Sequence, residues 1–192
     1  MDIKNLISNK GNILDGVFII EPKIFEDNRG FFYESWNQQL FNNTVGKEVN
    51  FQQDNHSLSN LGVLRGLHYQ IEPKPQGKLV RCISGSVFDV AVDLRKSSPT
   101  FGEWASIVLD NVNKLMIWIP VGFAHGFLSL EDNSELLYKA SELWSKDHDR
   151  SIRWDDENIN INWPLKDINF SEPRLSEKDA TAPFLKNAEI FN

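Results

Sequence analysis

Val87-Phe88-Asp89-Val90-Ala91-Val92-Asp93-Leu94 alternates strictly, with Phe88, Val90, Val92 and Leu94 on one face of an extended chain and Asp89, Ala91 and Asp93 on the other. This is a strand with an apolar side for a core and a polar side. In an open sheet the polar side faces solvent, whereas a strand at the mouth of a barrel turns polar groups inward to a pocket. The surrounding chain repeats the pattern in short runs. Strands are expected near Val17 to Ile20, Gly30 to Trp36, Phe51 to Leu58, Val63 to Gln70, Leu79 to Ser84, Trp104 to Asp110, Leu115 to Pro120, Phe123 to Leu130 and Glu135 to Ala140. Ser84-Gly85-Ser86 reads as a hairpin turn between its neighbours. Helical patterning is confined to Asn37 to Asn43 and to a turn at Ser176 to Ala180. Many short strands and few helices predict an all-β sandwich or barrel.

Composition narrows the class further. The 192 residues, 41% hydrophobic, suffice for one domain over 1–192 with a sizeable core, and no repeat or linker divides them. A net charge of -7 argues against a nucleic-acid partner, so any phosphate must be met by local cations. Cys82 is the single cysteine, which excludes an internal disulfide and fits a cytoplasmic protein. The first residues lack a signal-peptide run, and no segment has the apolar length of a membrane span.

Chemistry concentrates in Gly62-Val63-Leu64-Arg65-Gly66-Leu67-His68-Tyr69-Gln70 and Gln76-Gly77-Lys78-Leu79-Val80-Arg81. Cations and a histidine on strands are held at fixed angles, as an anion with a reactive carbon requires. A metal is the first alternative. Two histidines one residue apart on a strand both point into a barrel, but here the second position is Gln70, a poor transition-metal ligand. His125, in Pro120-Val121-Gly122-Phe123-Ala124-His125, leaves the set incomplete, and no metal is expected. His68, Lys78, Arg65, His125 and Tyr138 are instead the parts of a proton-transfer site: an imidazole titrating near neutrality, a phenol that donates, and a cation for developing negative charge. Each has a bland use as well, since a strand histidine often serves structure and Lys and Arg often snorkel to water.

A resemblance sharpens these roles. Phe51-Gln52-Gln53-Asp54-Asn55-His56-Ser57, the two stretches just quoted, Ser98-Pro99-Thr100-Phe101-Gly102, Trp118 to Phe127 and Leu175-Ser176-Glu177-Lys178-Asp179 together resemble the dTDP-4-dehydrorhamnose 3,5-epimerase family, in the family's order from about Glu21 to Asp179. The resemblance implies a cupin-type jelly roll, with a short carboxyl-terminal extension after about residue 175, that needs no cofactor. It also implies a homodimer and action at C3 and C5 of dTDP-4-dehydro-6-deoxy-D-glucose, in dTDP-L-rhamnose synthesis. By the family motif His68 is the base, Lys78 steadies the enolate, and Tyr138 supplies the proton from the other face. Asp179 corresponds to the carboxylate behind the base, and Asp89 is its rival on strand logic alone.

The family's substrate contacts correspond to Gln53, Asp54, Asn55, Arg65, Lys78, His125, Asp149 and Lys178, and to Arg29 and Glu34 reaching in from the neighbouring subunit. Arginine suits a diphosphate because its planar fork makes paired hydrogen bonds. Two departures stand out: Leu143-Trp144 replaces a pair of tyrosines, and Asp149 replaces a longer glutamate. Two other readings remain open on sequence alone, an epimerase of a single centre on a related dTDP-4-keto sugar and a catalytically silent sugar-nucleotide-binding cupin. A binder needs no acid and base on opposite faces, which weighs against the second.

Overall fold

The alternating stretch from Val87 is a strand, but both of its faces are buried. The computed structural model describes residues 2–191 and contains β1 (Asp2–Ile7), β2 (Ile13–Glu21), β3 (Ile24–Asp27), β4 (Gly30–Tyr33), β5 (Gln53–Ser59), β6 (Leu64–Gln70) and β7 (Lys78–Ser84). The strands continue with β8 (Ser86–Asp93), β9 (Trp104–Asp110), β10 (Met116–Ile119), β11 (Phe123–Ser129), β12 (Ser134–Ala140) and β13 (Asp149–Ser151). A six-stranded sheet runs β1-β2-β10-β7-β12-β5 and a five-stranded sheet runs β13-β6-β11-β8-β9. Pairing within both is antiparallel, and the two inner faces share one apolar cluster that includes Val17, Val80, Ile117 and Leu136 from one sheet and Val87, Ala91, Leu109 and Phe127 from the other. This is the jelly roll that the resemblance implies.

The outer faces explain the burial of β8. Val90, Val92 and Leu94 pack outward against Ile152, Ile159, Trp163 and Leu165, because residues 152–191 wrap over the five-stranded sheet. Asp89, Ala91 and Asp93 face inward. The polar side of the alternation is thus the interior side. Asp93 is satisfied there by Arg95 and by the Ser98 and Thr100 hydroxyls. On the six-stranded sheet the outer cover is α1 (Gln38–Val45), which Asn37 caps by accepting from Leu40 N–H and which ends at Gly46 with φ +71°. Its buried Phe41 meets Trp36, Phe51 and Trp118 at centroid distances of 5.2–5.4 Å.

Ser84-Gly85-Ser86 is not a hairpin turn. β7 belongs to the six-stranded sheet and β8 to the five-stranded one, so Gly85, at φ +70°, turns the corner between sheets. A Cβ there would lie 2.6 Å from Ser134 Oγ, which leaves room for glycine alone. The expected strand from Gly30 stops at Tyr33 and pairs with β3 in a separate two-stranded hairpin. β1, β3 and β13 escaped the sequence pattern: β1 buries only Leu6 and so shows no alternation, and β13 has three residues.

One irregularity positions the site. His125 pairs with His68 and Phe127 with Arg65, so two steps on β11 oppose three on β6. Strict alternation would send Arg65 and His68 to opposite faces. The bulge turns both inward while Leu64, Leu67 and Tyr69 pack outward. It occurs at Gly66, φ +127°, where a Cβ would come within 2.5 Å of Gly126 Cα. Among the described residues no helix is long and apolar enough to cross a membrane.

Candidate active site

The apolar interior gives way, at one end of the roll, to a cavity of about 170 Å³ lined by His68, Gln70, Lys78, Tyr138, Asp149 and Lys178, with Trp144 also contributing. Its walls come from both sheets. Lys78 on β7 and Tyr138 on β12 project from the six-stranded sheet, His68 on β6 and Asp149 on β13 from the five-stranded one, and Lys178 from α2 (Glu177–Ala180). Imidazole and phenol therefore approach the cavity from opposite sheets.

His68 is paired with Asp179, its Nε2 lying 2.5 Å from Oδ1. Burial pushes the Asp179 carboxyl up, but the hydrogen bond and charge of His68, the Ser176 hydroxyl and the charge of Lys178 outweigh it and hold the group below the usual carboxylate range. An ionised carboxylate only accepts, so Nε2 carries a hydrogen, and in the neutral imidazole the lone pair then sits on Nδ1. Nδ1 has no hydrogen-bond partner among the described residues. With the His68 side chain 31% exposed and that of Asp179 4%, the pair is an open imidazole backed by a buried carboxylate.

Lys78 is buried, and desolvation lowers its pKa to about 8 against the opposing pull of Asp149 and Asp89. Its Nζ donates one long hydrogen bond, 3.3 Å, to the His68 carbonyl. An ammonium has three N–H donors, so this one keeps capacity for an oxygen brought into the cavity. Burial raises the Tyr138 pKa above its usual 10.0, an effect that nearby Arg65 opposes and Asp149 reinforces. The phenol holds its proton at neutral pH.

Other expected residues arrange themselves around this centre. Asp89, the rival partner for His68, is taken by His125, whose Nε2 lies 2.9 Å from Oδ2, and both are buried. Gln53 Oε1 accepts from the backbone N–H of Trp144 and Gln53 Nε2 donates to Asn55, which pairs with Tyr138 across β5 and β12. Arg65 is anchored on Ser59 Oγ and the Leu58 carbonyl. Asp149 accepts from Lys178 at 2.5 Å. Asp54 does not join the group: alternation along β5 turns it to the outer face, where it pairs with Lys139 at 3.0 Å. Arg29 and Glu34 also lie apart, Arg29 at the tip of the β3–β4 hairpin against Asp27 and Glu34 accepting from Asn37.

Gln70, a poor metal ligand by its chemistry, has a structural use. Fully buried, it donates to the Lys74 and Leu143 carbonyls and accepts from Ser145 N–H, tying the loop that carries Trp144 to the cavity wall. Its polarity within a buried strand was the available signal. Among the described residues no three His, Cys, Asp or Glu side chains converge as a metal site. A second hollow of about 140 Å³, on the outer face by Trp36, Arg81, Leu137 and Lys139, carries no imidazole.

Comparison with known proteins places this geometry. The family model described as dTDP-4-dehydrorhamnose 3,5-epimerase matches residues 12–187. The dTDP-4-dehydrorhamnose 3,5-epimerase of Shigella flexneri is 55% identical over 175 residues, covering 91% of this chain and 94% of that protein. An epimerase structure from Mycobacterium tuberculosis superposes with a TM-score of 0.89 at 39% identity, over 97% of this chain and 90% of the other. The dTDP-6-deoxy-D-glucose-3,5-epimerase of Legionella pneumophila, solved with dTDP-4-keto-L-rhamnose, gives 0.87 at 43% identity over 97% and 94%. Fold, site and relatives together define a jelly-roll isomerase. The chain belongs to the dTDP-4-dehydrorhamnose 3,5-epimerase family.

Proposed function

We propose that the chain converts dTDP-4-dehydro-6-deoxy-D-glucose to dTDP-4-dehydro-L-rhamnose, in dTDP-L-rhamnose synthesis, with His68, Lys78 and Tyr138 as catalytic residues. The observation that carries this reading is that His68 and Tyr138 line one cavity from opposite sheets. Protons at C3 and C5 flank the C4 ketone. His68 Nδ1 takes one of them, the electron pair of the broken C–H bond moves into the enolate, and the Lys78 ammonium stabilises the charge on the ketone oxygen. Tyr138 then returns a proton to the opposite face, which inverts the centre. Exchange with solvent then takes the proton from His68 and restores that of Tyr138, and repetition at the second carbon completes an isomerisation in which no electron is lost, so the ketone itself supplies the activation that a cofactor supplies elsewhere. Asp179 keeps His68 in the Nε2–H tautomer and stabilises the imidazolium.

Arg65, Lys178, Asp149 and the Gln53–Asn55 edge surround the substrate, with the cations meeting its diphosphate, while His125, buried against Asp89, backs the wall without reaching the cavity. Arg29 and Glu34 serve the pocket of a second subunit in a homodimer. This accounts for a hairpin outside both sheets that exposes Phe31, Phe32 and an Arg29 side chain 85% accessible. The whole chain works as one domain, because the family match ends at residue 187 and Asp179 closes onto His68. Its buried single thiol, Cys82, suits the reducing cytoplasm.

Incubation with the 4-keto substrate in deuterated water tests the reaction. Label at both C3 and C5 is expected. Label at one carbon would make the chain an epimerase of a single centre, and none would make it a binder.

A further inference from the structure

Asp179 has two carboxylate oxygens, and only Oδ1 is committed to His68. Oδ2 accepts a hydrogen bond of 2.9 Å from Ser176 Oγ. The same Ser176 oxygen accepts from the Asp179 backbone N–H at 3.1 Å, as the N-cap of α2. One hydroxyl thus grips both the main chain and the side chain of the acid. The grip matters because α2 has only four residues, too few to fix a side chain by helical regularity. The other charged groups around Asp179 act from elsewhere: His68 from β6 on Oδ1, and Lys178, beside it on α2, is drawn away to Asp149 on β13.

We infer that Ser176 is a positioning residue for the proton-transfer reaction: by holding Oδ2 it aims Oδ1 at His68 Nε2 and so fixes the imidazole tautomer that exposes Nδ1. The inference rests on the reading of His68 as the base. Without the hydroxyl the carboxylate rotates about its Cα–Cβ and Cβ–Cγ bonds and Nε2–H loses its aligned acceptor. The loss falls on the chemical step, since Ser176 is not among the residues lining the cavity.

Two variants separate aiming from capping. Glycine caps a helix nearly as well as serine but has no donor, whereas threonine keeps both functions. Ser176→Gly should lower kcat about ten-fold with KM unchanged, as expected for one hydrogen bond to a charged group. Ser176→Thr should restore most of the rate. Nitrogen-15 imidazole spectra of the free enzyme should show the Nε2–H tautomer of His68 in the wild type and Thr protein, and a tautomer mixture in the Gly protein. The inference is overturned if the Gly and Thr proteins turn over alike, or if the His68 spectrum of the Gly protein matches the wild type. A parallel His68→Ala protein distinguishes the two levels. Its undiminished deuterium exchange would overturn the base assignment itself, while its silence beside a fully active Ser176→Gly protein overturns only the role of Ser176.

Discussion

Two imidazole–carboxylate pairs sit one strand apart in this molecule, since His68 on β6 pairs across the sheet with His125 on β11. They differ in what surrounds them. His125 and Asp89 are both closed off, with side-chain exposures of 9% and 0%, and their strands β11 and β8 are neighbours. His68 is 31% exposed, and its acid arrives from α2, 111 residues further along the chain. Pairing alone therefore does not make a base. A base also needs a ring that opens onto the cavity, and among the described residues only His68 does so, since neither His125 nor the more exposed His56, paired with Glu135, lines it.

The largest expected effect breaks the symmetry of the two pairs outright. His68→Ala should lose about 100 to 10,000-fold in exchange rate while melting near the wild type, because Asp179 keeps its Ser176 partner. His125→Ala should do the reverse. It strands the Asp89 carboxylate, already without a partner at Oδ1, and should cost about 3 kcal/mol, or a fall of roughly 10 °C in melting temperature. Paired thermal melts and deuterium wash-out read both. If His125→Ala abolished exchange at unchanged stability, the buried pair would belong to the chemistry.

Lys78 sharpens the comparison through pH. A lysine is charged below its pKa, so turnover should fall as pH rises through about 8, where Lys78 loses its proton. Tyr138, raised above 10.0, stays protonated across that window. Lys78→Met should cost about 100-fold or more at neutral pH, and Lys78→Arg should move the alkaline limb upward. A limb that stays near 8 in the Arg protein would belong to another group.

The smallest effect concerns the rim. Trp144, 58% exposed, stands where the family's aromatic pair was expected. If its indole stacks on the thymine, Trp144→Ala should weaken dTDP binding about five-fold in a calorimetric titration. Unchanged affinity would free the residue from that role.

What was legible in the sequence follows from these differences. Period-two runs gave the strands, and local motifs singled out His68 and Lys78, whereas the role of Tyr138, which lies in none of the quoted motifs, came only from the resemblance. The direction of β8 was not legible, since residues 152–191 cover its apolar face and alternation says nothing about which face is inside. The partnership of Asp179 was open on strand logic because Asp89 lies closer in sequence, and only the resemblance favoured it. The bulge at Gly66 was invisible to any fixed period, although it alone lets Arg65 and His68 share a face. Asp54 failed for the same reason in reverse: β5 keeps strict register, so its neighbours Gln53 and Asn55 turn inward and it cannot.

The segment that carries Ser176, Lys178 and Asp179 reaches back to β13, 29 residues before Lys178, and to His68 on β6, 111 residues before Asp179. On the ribosome, the barrel strands are made before the acid that completes the base. A nascent chain can thus assemble its walls while His68 still lacks its partner, and the pair forms only once synthesis has passed Asp179.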